Sequence, residues 1–139
     1  MILARHQLFT RRKPSIRATR LFVAQTLTEW GHTDRLGDIR LCVSEIATNA
    51  LLHGVPPGRF FAVHITADQE QVRIEVRDSG PGHPIVRTPR AGDEHGRGLL
   101  LVGELSDAWG NIDHAVGKTV WFTVKSTPVG GHEKPADTN

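Results

Sequence analysis

The chain has 139 residues, a net charge of +2 and one cysteine, Cys42. This length suits one domain built around a single core. A lone cysteine excludes a disulfide framework and a cysteine zinc site, and no apolar run approaches the roughly 20 residues of a membrane span. The basic N-terminus does not continue into the apolar segment of a secretory signal, so we expect a cytoplasmic protein with no membrane partner.

Positive charge is concentrated ahead of the first acidic residue, Glu29. A one-sided basic segment attracts nucleic acid or an acidic protein surface. The segment lacks interleaved aromatic residues and any nucleic-acid-binding pattern, so we expect no direct nucleic acid contact. We favour an acidic protein partner, with a merely solvated face as the alternative. The basic residues are Arg5, Arg11, Arg12, Lys13, Arg17 and Arg20.

The first third of the chain predicts one strand and two helices. Residues 2–10 alternate loosely and predict the strand. Pro14 and Ser15, with Ser15 as N-cap, open the first helix, which ends at Gly31. A second helix spans about residues 38–53, and its core-facing side carries Ile39, Val43, Ile46 and Ala50.

From Arg59 onward the hydrophobic period changes to two, which predicts an antiparallel hairpin that ends at Asp78. The Pro- and Gly-rich stretch that follows is typical of a functional loop. A glycine turn at residues 95–98 then feeds a short helix to about residue 107. Two more strands follow, and we expect residues 1–125 to form the domain. The composition of residues 126–139 predicts a disordered tail.

Glu45 and Asn49 lie four residues apart on the second helix, and His53 continues the row. A carboxamide oxygen is a neutral hard ligand for magnesium, while a carboxylate can orient or deprotonate a nucleophile. The pair could therefore serve a metal-bound phosphate. Taken alone, such a pair more often decorates a wet helix face.

Asp78 at the strand end offers an acceptor to an exocyclic amine such as that of adenine. Gly82 would allow the backbone to approach a base closely. Thr119 could supply a hydroxyl near the adenine end. These positions predict the base-binding part of a nucleotide site.

Gly96 and Gly98 flank Arg97 at the start of the predicted third helix. Their backbone amides would be free at a helix N-terminus, where the helix dipole favours an anionic phosphate. Arg97 adds a fixed positive charge. The turn therefore predicts a phosphate-binding element.

Four stretches resemble the N, G1, G2 and G3 boxes of the ATPase superfamily shared by gyrase, histidine kinases and mismatch-repair proteins; they are SEIATNALLHG, RDSGPG, HGRGLLLV and GKTVWFTV. Within that superfamily the chain is similar to bacterial anti-sigma-factor serine kinases and their single-domain relatives. The resemblance covers about residues 2–125. It implies the Bergerat-type ATP-binding fold, an α+β two-layer sandwich whose mixed, mostly antiparallel sheet has helices on one face.

The resemblance also implies ATP and Mg²⁺ as cofactors. It makes Asn49 the magnesium ligand, Glu45 the general base that activates a substrate serine, and Asp78 the residue that reads adenine. The other implied nucleotide contacts are His53, Gly80, Gly82, Gly96, Arg97, Gly98, Leu99 and Thr119.

The predicted function is that of a protein serine/threonine kinase acting on a small regulatory, anti-anti-sigma-like protein, with a sigma factor as a second partner. The resemblance also allows a homodimer. The alternative is a non-catalytic module that binds a protein partner in a nucleotide-dependent way. Residue identity cannot separate transfer to serine from transfer to water. A plain structural domain would leave four ordered motifs to coincidence.

Overall fold

The structure is a computed structural model that describes residues 1–54, 59–78 and 94–129, with residues 53, 54 and 94–98 described by their backbone alone. Within these ranges the elements follow one another as β1 (Leu3–Thr10), α1 (Pro14–Trp30), α2 (Leu36–Asn49), a π-helical segment (Ala50–Gly54), β2 (Phe60–Ala67), β3 (Gln71–Asp78), α3 (Glu94–Leu105), β4 (Ala108–Asp113) and β5 (Lys118–Lys125).

The described strands form one sheet in the order β1-β2-β3-β5-β4, and every pairing among them is antiparallel. Alternation along β3 explains the layering, because Val72, Ile74 and Val76 are buried whereas Arg73 and Arg77 are not. The helices pack against this buried face. The predicted α+β two-layer sandwich is therefore confirmed.

The core between the layers is formed by the apolar helix faces that the periodicity predicted. Val23 and Leu27 of α1 meet Ile39 and Ile46 of α2, and all four are fully buried. Cys42 is buried in the same cluster, where desolvation raises the pKa of its thiol to about 11. Cys42 therefore serves in packing, and its thiol stays protonated at neutral pH.

The start of α1 differs from the prediction. Lys13 occupies the N-cap position, Pro14 follows at the first helical position, and Ser15 lies inside the helix. Ser15 as N-cap was therefore wrong, and its carbonyl accepts a hydrogen bond from the Thr19 hydroxyl at 2.7 Å within the helix. Proline suits the first helical position because its ring fixes φ and no amide hydrogen is needed there. Gly31 ends α1 with φ of 82°, as expected.

Residues 126–129 pack on the body of the domain, which corrects the expectation of a disordered tail beginning at residue 126. Ser126 is buried, and its hydroxyl donates to Asp34 at 2.6 Å and contacts Nδ1 of buried His32 at 2.8 Å. The Val129 amide donates to the Gly31 carbonyl at 2.8 Å. Residues 130–139 lie outside the described part of the chain.

The described helices include none that is long and apolar enough to cross a membrane.

Candidate functional site

Asn49 is the last residue of α2, and its side chain lies one turn beyond Glu45. Only 9% of Asn49 is exposed, while Glu45 is half-buried. No hydrogen bond joins the Asn49 side chain to any residue of the described ranges. Neither polar atom of this carboxamide is both unpaired and sealed from solvent, so the group stays accessible at the end of α2. This placement disfavours the wet-helix interpretation of Asn49 and leaves its oxygen available to a ligand.

The helix does not stop at Asn49 but continues directly into the π-helical segment Ala50–Gly54. This segment packs against β3, so the end of α2 lies over the strand that carries Asp78. Single π-turns occur frequently at functional sites, where they redirect side chains. His53 belongs to this segment by its backbone, and its side chain lies outside the description. No pattern in the sequence indicated the π-turn.

Asp78 ends β3 and is 2% exposed. It pairs across the strands with Phe61, a core residue, so the carboxylate belongs to the face that the helices cover. The β3 end and the α2 end therefore contribute polar side chains to the same side of the sheet.

Gly117 is a site residue that the sequence analysis did not identify. It has φ of 78°, and a Cβ atom there would lie 2.5 Å from both Oδ1 and the main-chain oxygen of Asp78. Real Cβ atoms do not approach oxygen so closely, so only glycine leaves the Asp78 carboxylate in its present position. The signal was the glycine one residue before the last strand, inside GKTVWFTV.

Thr119 is buried near the start of β5, two residues after Gly117. It pairs with Arg77, on the face of the sheet opposite Asp78, and its hydroxyl contacts Nε2 of His114 at 2.8 Å. Strand alternation places Lys118 on the side of Asp78 instead. The Thr119 hydroxyl is thus engaged with His114, and its role near the adenine end stays a prediction.

The glycine turn predicted before the third helix is part of that helix, because α3 begins at Glu94. The first four amides of a helix have no acceptor within it, so the amides that stay available lie at or before Arg97. Gly98 is the fifth residue of α3, and in this conformation its amide is inside the helical ladder. Leu99 packs partly buried against the core. Gly80 and Gly82 lie outside the described residues, as do the side chains of residues 94–98.

The donor chemistry at the end of α2 and β3 fits a magnesium-bound nucleotide. Asn49 supplies a neutral oxygen, Glu45 and Asp78 supply carboxylates, and Gly117 leaves room at Asp78. The described residues hold no cluster of three histidine, cysteine or acidic side chains that could cage a metal. Magnesium at nucleotide sites typically takes one or two protein ligands together with phosphate oxygens and water, so a cage is not required.

Comparison with known families decides the broader identity. A model of the histidine kinase-like ATPase domain matches residues 9–124, which include α2, β3, α3 and most of β5. The chain belongs to this family. The stretch includes Glu45, Asn49, Asp78 and Gly117, so the cluster described above lies within the matched domain.

Two relatives of this histidine kinase-like ATPase chain are anti-sigma F factors. The protein from Geobacillus stearothermophilus is 35% identical over 60 residues, which cover 42% of this chain and 41% of the relative. The protein from Geobacillus kaustophilus is 31% identical over 88 residues, which cover 61% of this chain and 60% of the relative. The chain thus matches about two-fifths to three-fifths of these curated relatives.

Proposed function

We propose that this histidine kinase-like ATPase is an ATP-binding protein serine/threonine kinase that acts on a small regulatory protein and that also binds a sigma factor. The observation that carries the proposal is the pairing of half-buried Glu45 with buried Asn49 at the end of α2. Both relatives named anti-sigma F factor support the choice of partner class.

In the proposed reaction the carboxamide oxygen of Asn49 faces the phosphates as a magnesium ligand. Magnesium, when bound, would neutralise charge on the phosphate oxygens. Glu45 accepts the hydrogen bond of the substrate serine hydroxyl and takes its proton as the serine oxygen bonds to the γ-phosphorus. The bond from that phosphorus to the ADP oxygen breaks in the same transfer. Glu45 acts best half-buried, since a partly solvated carboxylate can release the proton to water afterwards.

At the other end of the proposed site, Asp78 accepts a hydrogen bond from the adenine amine. The buried carboxylate would be left facing a carbonyl oxygen if guanine took the place of adenine, and this mismatch is costly. Because residue 117 is glycine, no Cβ atom occupies the space next to the Asp78 carboxylate. We therefore propose that the protein selects ATP over GTP.

The basic N-terminal segment is the proposed surface for an acidic protein partner. Contacts within the protein reduce the number of its basic residues that are available to that partner. Arg5 pairs with Glu29 at 3.0 Å, and Arg20 donates to the Ser44 hydroxyl at 3.2 Å. Arg12 and Arg17 are exposed. These two side chains make no hydrogen bond or ion pair with the described residues, so they remain the best candidates for the partner contact.

Calorimetry with ATP and GTP tests the nucleotide assignment. We expect wild type to prefer ATP, and Asp78→Asn to weaken ATP binding by about 1.5 to 3 kcal/mol, or roughly ten- to a hundredfold. Equal affinity of wild type for ATP and GTP would remove Asp78 from this role.

Incubation with γ-labelled ATP, magnesium and a candidate anti-anti-sigma-like protein tests the transfer step. A labelled serine or threonine on that protein is the expected result. ATP-dependent partner binding without any transfer would favour the non-catalytic module instead. A homodimer and a cytoplasmic location stay predictions from the sequence.

A further inference from the structure

The C-terminal end of the helix that carries Asn49 is held by a side chain from another element. The last four carbonyls of a helix have no partner within it, and α2 has no basic residue in its last turn to compensate. Arg11 supplies the missing donor: its Nε lies 2.7 Å from the main-chain oxygen of Leu51, in the π-helical segment. A cation thus meets the negative end of the helix two residues beyond Asn49.

Arg11 is also fixed at its own backbone. Its amide donates to the carbonyl of Arg59 at 3.0 Å, immediately before β2 begins. The residue directly follows β1, whose Thr10 pairs with Phe60. Because main chain and guanidinium are both engaged, Arg11 ties the end of the Asn49 helix to the edge of the sheet formed by β1 and β2.

We propose that Arg11 is a positioning residue for the nucleotide site. It holds the Asn49 carboxamide in the position from which its oxygen faces the bound phosphates. The inference rests on the proposed function, since it assigns Arg11 a role toward the same magnesium-bound nucleotide. Arg11 acts through the Leu51 carbonyl and the π-helical segment and does not touch the nucleotide itself.

The type of residue supports the role. A guanidinium Nε has a fixed direction and a permanent charge, so it both satisfies a carbonyl and complements the helix dipole. Arg11 is half-buried, in contrast to its exposed neighbour Arg12. A charge that served only solubility would not need an oriented contact with a main-chain oxygen.

The test compares Arg11→Ala with Arg40→Ala, which removes an exposed arginine from the first part of α2. Affinity is measured by calorimetry for ATP with magnesium, ATP with a chelator, and adenosine. We expect Arg11→Ala to lose about tenfold of the affinity gained from magnesium, the size typical of groups that orient a metal ligand. Adenosine affinity should stay within about twofold, and Arg40→Ala should match wild type.

A double variant separates positioning from general damage. If Arg11 acts through Asn49, adding Arg11→Ala to Asn49→Ala should cause no further loss of magnesium-dependent affinity. Amide hydrogen exchange of residues 50–54 in the nucleotide-free protein should be faster in Arg11→Ala than in wild type. Should the alanine variant fail to fold, Arg11→Lys keeps the charge but loses the oriented Nε donor, and an intermediate loss is expected.

The outcomes distinguish this inference from the proposed function. A wild type that gains ATP affinity from magnesium, with Arg11→Ala and Arg11→Lys gaining equally, would overturn the role of Arg11 alone. Additive losses in the double variant would also overturn it. A wild type that shows no magnesium-dependent gain would overturn the proposed function and the inference with it.

Discussion

The two ends of the sheet both bury polar side chains, but they use them differently. At the end where β2 turns into β3, the Ser126 hydroxyl joins His32 and Asp34 by hydrogen bonds, so these polar groups have partners within the protein. We call this the closed end. At the opposite end, where Asp78 closes β3, the largely buried Asn49 side chain makes no hydrogen bond with the described residues, and its carboxamide stays accessible. We call this the open end. Polar side chains that are satisfied within the protein contribute to stability, whereas an accessible carboxamide without a protein partner is a candidate ligand contact.

The closed end also contains a cavity of about 250 Å³, lined by residues that include Trp30, His32, Ala67 and Asp68. Asp68 is engaged in the hairpin turn, where its carboxylate accepts hydrogen bonds from the amides of Glu70 and Gln71. His32 and Asp68, which line this cavity, already have partners in the protein. The closed end therefore offers fewer unsatisfied groups to a ligand, and the nucleotide site is proposed at the open end.

The largest expected effect lies at the open end, at the proposed general base. Glu45→Ala should retain ATP binding, because Asn49 and Asp78 remain, yet lower phosphate transfer by roughly a hundred- to ten-thousandfold. Transfer to the partner protein and binding of ATP are measured in parallel on the same preparation. Unchanged transfer would mean that Glu45 only packs or hydrogen-bonds on the helix.

Gly117→Ala should disturb the open end without touching Glu45, the proposed general base. The positive φ alone costs alanine about 1–2 kcal/mol, and its Cβ would overlap Asp78, so ATP affinity should fall along with the free energy of unfolding. Gly37→Ala is the matched control. Gly37 lies in α2 with open space around its Cα, so alanine should be neutral or stabilise by up to about 1 kcal/mol. Equal behaviour of the two variants would remove Gly117 from the site.

At the closed end, Ser126→Ala should reduce stability and leave ATP affinity unchanged. The substitution leaves buried His32 without its Ser126 partner and removes the donor to Asp34, at a cost of about 1–3 kcal/mol. Denaturant unfolding and ATP calorimetry report the two quantities separately. A loss of ATP affinity comparable to that of Asp78→Asn would break the division between the two ends.

The smallest effect is a pH dependence at Asp34. Desolvation opposes the charged form of this carboxylate, but hydrogen bonds from the Ser126 hydroxyl and the Thr127 amide outweigh it and lower its pKa below 3.8. Ionised Asp34 therefore contributes to the free energy of unfolding above its unfolded-state pKa, and this contribution is lost as pH falls through its folded-state pKa. The free energies of unfolding of wild type and Asp34→Asn should therefore converge as pH falls below the unfolded-state pKa of about 3.9. Parallel curves over that range would contradict this assignment.

The sequence predicted those parts of the fold that depend on local period. Alternation in QVRIEVRD fixed the face of β3, and the spacing of Ile39, Val43 and Ile46 fixed the buried side of α2. The packing of residues 126–129 was missed because Ser126 meets His32 and Asp34 across more than ninety positions of the chain. Composition alone carries no information on such contacts.

Within the candidate site, residue type was easier to predict than orientation. Asn49 and Asp78 are buried on one side of the sheet, in agreement with a shared site. The face on which a strand residue lies is harder to predict, because a shift of one position moves its side chain to the other face. Thr119 therefore lies opposite Asp78, and Lys118 lies on its side. The π-turn after Asn49 was invisible because ALLHG continues an ordinary helical pattern. The glycines of HGRG lie in α3 because two glycines do not outweigh the apolar run that follows them.

The central claim is that ATP binds at the open end, and hydrogen–deuterium exchange with and without magnesium and ATP tests it most directly. We predict slower exchange in peptides covering residues 45–54 and 72–78, and unchanged exchange in peptides covering residues 30–34 and 126–129. Protection confined to residues 30–34, 67–71 and 126–129 would place the nucleotide at the closed end and contradict the account.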